Sequence, residues 1–220
     1  MITAYCKEVQ ISRFSLFEQA FRQGVTTSDV DSDAIVCLRR EGYVHTGFRH
    51  FPTFDLHIAD GHPVILLVRD PRDMLVSKYF SIKESHHIPN GQEALLRARD
   101  FSKTISIDDW VVRNSHQYVH SFNEYTRRLK QDSLTVFRYE DYIYNKVDWL
   151  GKSAEVLRLP IKKEIVEKVA ERYDFIPESE VESEHVRQVH PGDHRDKLSS
   201  ATITNLNDIF ESFMRAYDYS

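Results

Sequence analysis

The run Val64-Ile65-Leu66-Leu67-Val68, closed by Arg69-Asp70-Pro71, constrains this chain more than any other segment. Consecutive apolar residues rich in β-branched side chains predict a parallel strand covered on both faces. Pro71 drives Asp70 out of the right-handed helical region, so the strand must stop before it. The same proline is preorganised for the first turn of a helix, where its missing N–H costs nothing. Leu75, Val76 and Tyr79 then recur at helical spacing. Arg69 falls at the carboxyl edge of the strand, with Arg72 and Ser77 on the helix behind it. In open α/β sheets that edge is where ligands bind. An arginine there, beside a hydroxyl and a helix N-terminus, suits a phosphate.

A chain of 220 residues, 41% hydrophobic and 29% charged, is long enough and apolar enough for one α/β domain with its own core. The expectation is a single domain over residues 1–220. No apolar run approaches the roughly 20 residues that span a bilayer, and no signal-peptide pattern opens the sequence. A formal net charge of −5 argues against general nucleic-acid binding, so any basic site must be local. Cys6 and Cys37 support neither a disulfide framework nor a zinc site; Cys37, inside Ala34-Ile35-Val36-Cys37-Leu38, reads as core. A cytoplasmic location is the default that follows. Gly42 and Gly47 stand at the spacing that begins a Walker loop, but Phe48 and Arg49 occupy the places of Lys and Ser/Thr, which rejects it. Asp29, Asp31 and Asp33 alternate as in a calcium loop, yet the required glycine and twelfth-position acid are missing.

Around the central segment, residues 1–24 read as helical, with Tyr5, Val9, Phe14, Phe17 and Phe21 as a stripe broken near Ser12. Residues 34–39 and Tyr43 to Phe48 read as extended. Ser106, with Asp109 following, caps a long helix carrying Trp110, Val111, Tyr118, Phe122 and Tyr125. Leu134 to Phe137 is a further short strand. Helices follow over about 141–157, 162–174 and Ser200 to Tyr217, and residues 178–200 are polar and irregular. Strands alternating with helices give an α/β fold with a parallel sheet.

Three segments join the opening one: Phe48-Arg49-His50-Phe51-Pro52, Phe137-Arg138-Tyr139-Glu140-Asp141, and Arg187-Gln188-Val189-His190-Pro191-Gly192-Asp193-His194. Taken in order, from about residue 45 to the end, they resemble the sulfotransferases that use 3′-phosphoadenosine 5′-phosphosulfate (PAPS). The resemblance implies a P-loop-kinase-like three-layer domain. It implies that Arg69 and Ser77 hold the 3′-phosphate of the donor, through the Arg-Asp-Pro-Arg-Asp-x-x-Val-Ser form. His50, in His-Phe-Pro, matches the segment that carries the family's catalytic base. Tyr139 matches a tyrosine beside the adenine, and Arg187 with Gly192 matches part of a late loop that closes over the 3′-phosphate. Gln188, Val189 and His194 depart from the Lys, Gly and Trp of that loop, which puts its closure in question.

The family opens with a strand and a Lys-x-Gly-Thr-type loop that holds the 5′-phosphosulfate, and nothing before residue 34 matches it. The expectation is a domain that begins inside the fold, lacking its first central strand. The implied function is transfer of a sulfuryl group from PAPS to a hydroxyl or amine of a small-molecule or glycan acceptor, with His50 as general base and no metal. The alternative is an inactive or truncated remnant that keeps only the 3′-phosphate half-site. No nucleic-acid or membrane partner is implied, and a homodimer is allowed. Phe51–His57, Ser85–Asn90 and Phe101–Trp110 are the candidate acceptor loops. Asp70, Asp73, Glu140 and Asp141 read as helix caps or partners of nearby arginines.

Overall fold

The structure is a computed structural model and describes residues 1–25, 30, 42–48, 61–85, 88, 91–129, 131–180 and 188–219. The expected strand over 34–39, Cys37, His50, the candidate acceptor loop Phe51–His57 and Arg187 lie outside these residues. The chain packs as two compact units. The first comprises Met1–Leu67, Arg128–Phe137 and Asp141–Phe175; the second comprises Val68–Arg127, Arg138–Glu140 and Ile176–Ser220.

In the first unit, α1 (Ile2–Glu8) and α2 (Leu16–Arg22) flank a short strand, β1 (Ser12–Phe14). The helical region expected over residues 1–24 is therefore two helices, and the break expected near Ser12 is a short strand. Gln10 adopts a positive φ of 60° at the break, a conformation that ends a helix. β1 pairs in parallel with β2 (Tyr43–His45), with Ser12 opposite Tyr43 and Phe14 opposite His45. Arg13 Nε donates to Thr46 Oγ1 at 2.7 Å, which pins that register. Gly47, with φ +85°, packs where any Cβ would strike Ser15 Oγ. Its role is thus close backbone approach, and a phosphate loop is not involved.

β3 (Val64–Val68) ends where expected and pairs with β4 (Leu134–Arg138). The expected coverage of both faces does not hold: only Val68 is buried, and Leu67 is 51% exposed. Among the described residues β3 and β4 form a two-stranded sheet, and a strand with one neighbour cannot be enclosed as an interior strand is.

α6 (Tyr139–Tyr142), α7 (Lys146–Val156) and α8 (Lys163–Arg172) replace the two helices expected over 141–174. Asn145 makes the division: its side chain accepts from Asp148 N at 3.2 Å and caps α7. The core of this unit joins Tyr5, Cys6 and Val9 of the N-terminal segment to Leu150, Ala154, Val166, Val169 and Ala170. Tyr5 Oη donates to Pro160 O at 2.6 Å and accepts from Lys162 N at 3.2 Å, satisfying a buried hydroxyl inside that core.

In the second unit, α3 (Pro71–Phe80) runs into a π-helical turn, Ser81–Ser85. α4 (Glu93–Ser102) was not expected, whereas α5 (Ile107–Arg128) starts at the anticipated cap. Asp109 N donates to Ser106 Oγ at 3.1 Å, and Ser106 Oγ donates to Asp109 Oδ2 at 2.7 Å. Trp110 is buried against Tyr79, ring centroids 5.6 Å apart, and packs in the core of this unit. After α9 (Asp193–Lys197) the terminal helix divides at Phe210 into α10 (Ser200–Ile209) and α11 (Glu211–Ala216). Phe213 and Tyr217 close on Phe122 of α5 at 4.5 and 5.4 Å. Among the described residues no helix is long and apolar enough to cross a membrane.

Candidate functional site

Three stretches of the second unit converge: residues 69–73, residues 139–140 and the loop 189–194. The first is shaped by Asp70. Its carboxylate accepts from Arg72 N at 2.9 Å, capping α3, and binds the Arg72 guanidinium through Nε at 3.0 Å and Nη2 at 2.6 Å. Arg72 Nη1 also donates to Asn207 Oδ1 of α10 at 2.8 Å. The helix N-terminus that suited a phosphate in the sequence is therefore already served by a carboxylate, and Arg72 is a buried structural residue. Asp70 N donates to Glu140 Oε1 at 2.8 Å, and Tyr219 Oη donates to Glu140 Oε2 at 2.8 Å. Burial, reinforced by that carboxylate, pushes the Tyr219 hydroxyl well above its ordinary value, so it acts as a donor.

Arg69 is different. Its guanidinium lies over the Tyr139 ring, 4.5 Å from the centroid, and its Nε is buried without a hydrogen-bond partner among the described residues. Stacking on an aromatic face holds a guanidinium without consuming its N–H donors. Tyr139 is itself fixed by donating its hydroxyl to Val189 O at 2.9 Å. Ser77 sits in the body of α3, and among the described residues its hydroxyl makes no hydrogen bond. Elsewhere Ser115, Ser121, Thr126 and Thr204 bond back to a carbonyl of the preceding turn. That is the ordinary outcome for a helical hydroxyl.

The third stretch is held by Asp73, which is 1% exposed. Its carboxylate accepts from Gly192 N at 2.6 Å, from His194 N at 2.9 Å and from His194 Nδ1 at 2.6 Å. Burial alone would raise this carboxyl, but the imidazole and the two backbone N–H groups outweigh it and hold the group below its ordinary range. Gly192 takes φ +94°, the left-handed conformation that only glycine adopts without strain, and its N–H is spent on Asp73. Its place in the site is conformational. Asp73 faces one turn before Ser77 on the same side of α3, so the loop docks on the side of the helix that presents the serine.

Of the residues singled out in the sequence, Arg69 and Tyr139 are in contact, Gly192 is tied to α3, and Ser77 lies on the docked face. The Asp73–His194 pair was not legible: its members are 121 positions apart. The one sequence signal was that His194 replaces a tryptophan of the resembling loop.

A strand end bearing an arginine, backed by a helix and flanked by a loop, defines an α/β protein with a candidate ligand edge. The family model for the sulfotransferase domain matches residues 60–218, and the chain belongs to that family. No curated protein matches the sequence. Among solved structures the chain is similar to retinol dehydratase in complex with androsterone and the inactive cofactor PAP. That likeness has 15% sequence identity and a TM-score of 0.56, and covers 84% of this chain and 57% of that one. It shows the fold, P-loop-kinase-like α/β with few strands. Mouse sulfotransferase SULT7A1 complexed with PAP is 16% identical, with a TM-score of 0.47, over 80% of this chain and 66% of its own; nothing rests on that weaker likeness. The chain thus spans less than two thirds of the length of either structure.

Proposed function

We propose that this chain is a PAPS-dependent sulfotransferase acting on a hydroxyl or amine of a small acceptor, and that Arg69 and Ser77 bind the 3′-phosphate of the donor. The observation that carries this reading is the Arg69 guanidinium, stacked on Tyr139 with a buried Nε that has no partner among the described residues. A buried unpartnered donor is rare in folded proteins, and a guanidinium is the group best matched to phosphate oxygens. Ser77 adds an uncommitted hydroxyl, and Tyr139 offers its ring to an adenine. Arg187, two residues before the start of the docked loop, supplies a second cation in this reading. The PAP and the androsterone in the retinol dehydratase complex support a 3′-phosphoadenosine ligand and a small-molecule acceptor.

The donor, when bound, supplies a sulfuryl group that leaves the 5′-phosphate oxygen and joins the acceptor atom. His50 takes the proton that the acceptor loses, a role a neutral imidazole suits near pH 7. Arg69 and Ser77 grip the far end of the donor, so their binding energy orients the reacting end without joining the chemistry.

The test uses 3′,5′-ADP. It is expected to raise the melting temperature of the chain, and Arg69→Ala is expected to abolish that shift; equal shifts in both proteins would refute the site. Binding of 3′,5′-ADP without any sulfuryl transfer from PAPS would favour a nucleotide-binding remnant.

A further inference from the structure

We infer that Asp73 and His194 are positioning residues of the nucleotide site, setting its preference for a 3′-phosphate without touching the ligand. This rests on the reading of Arg69 given above. The argument is a closed circuit of bonds within one unit. Arg69 is held by the Tyr139 ring at 4.5 Å. Tyr139 is held by Val189 at 2.9 Å. The loop from Val189 is fastened at its far end when Gly192 and His194 donate to Asp73, three N–H groups converging on one carboxylate within 2.9 Å. Asp73 stands four residues after Arg69 in the same strand–helix turn, which completes the ring. Both side chains of the pair are almost fully enclosed, Asp73 at 1% and His194 at 2% exposure, so neither is available to a ligand. Their chemistry is to fix a loop.

The consequence is directional. Releasing the loop end at Asp73 frees Val189, loosens Tyr139 and lets the Arg69 guanidinium leave the plane in which its donors are presented. The 3′-phosphate end of the ligand suffers most, because it loses the Arg69 donors, whereas a nucleotide lacking that phosphate reports only the smaller effect of a loosened Tyr139 ring. His194 is the more informative member. Asparagine places an amide N–H near the position of Nδ1, so His194→Asn retains the bond to Asp73, while His194→Leu deletes it.

Titration calorimetry on the intact chain, with 3′,5′-ADP and 5′-AMP as probes, decides the matter. Asp73→Asn and His194→Leu are expected to weaken 3′,5′-ADP by about tenfold, the loss of one charge-assisted hydrogen bond. Affinity for 5′-AMP should stay within about twofold, and His194→Asn should recover most of the preference. Should Asp73→Asn fail to fold, the two His194 variants carry the test alone. The inference is overturned if the variants keep the wild-type ratio of the two affinities while Arg69→Ala loses it, or if both nucleotides weaken in parallel. A wild-type chain with no preference for 3′,5′-ADP would instead refute the reading of Arg69 itself.

Discussion

Asp73 carries a carboxylate into an interior that excludes water, which is costly unless donors meet it. Three do, and they hold its folded pKa below the ordinary value of 3.8. The sign of the linkage follows. A depressed carboxyl contributes stability above its unfolded pKa, and that contribution is lost as pH falls through the folded value. Wild-type stability should therefore decline below about pH 4. Asp73→Asn should be less stable by about 1–3 kcal/mol near pH 7 and flatter in acid, as measured by urea unfolding at several pH values. A parallel acid decline in both proteins would remove Asp73 from this role. At this scale the places of Arg69 and Tyr139 at strand ends and of Ser77 on the following helix were legible because local turn chemistry sets them. His194 was not, because its partner is chosen by how a distant loop docks.

Helix ends explain most of the agreement and most of the disagreement at the scale of elements. Pro71 with its Asp70 cap, and Ser106 with Asp109, are local chemistry, so α3 and α5 start where the residues say. The break near Ser12 shows in the apolar stripe and falls close to Gln10, whereas the divisions at Asn145 and at Phe210 are hidden because apolar spacing runs through them. An asparagine cap inside a periodic stretch looks like any exposed polar residue until the backbone turns. Asn145→Ala should cost about 1 kcal/mol, read as a lower midpoint in thermal unfolding. No change would show that α7 is held by packing alone. The coverage of β3 also lies beyond local pattern, since an apolar run states what a strand could bury and not how many neighbours it has.

Each of the two units has buried apolar residues and its own tryptophan, Trp149 in the first and Trp110 in the second. The single-domain reading of the chain predicts that both melt together. Trp110→Phe and Trp149→Phe variants, each leaving one fluorophore, should give coincident urea midpoints; separated midpoints would establish two folding blocks. Leu150 is fully buried in the cluster around Tyr5, so Leu150→Ala should cost about 2–5 kcal/mol by the same measurement.

Strand end, helix start, the arginine and hydroxyl of the candidate anion site and the family itself were determined by the residues alone, because turn chemistry and short motifs act over a few positions. What the tertiary structure decided was the use of those parts. It turned Arg72 inward onto Asp70, left Arg69 with an unmatched donor, and closed the loop of Gly192 on Asp73. Those outcomes depend on which distant N–H groups reach a buried charge first, and that competition is settled only when the chain has packed.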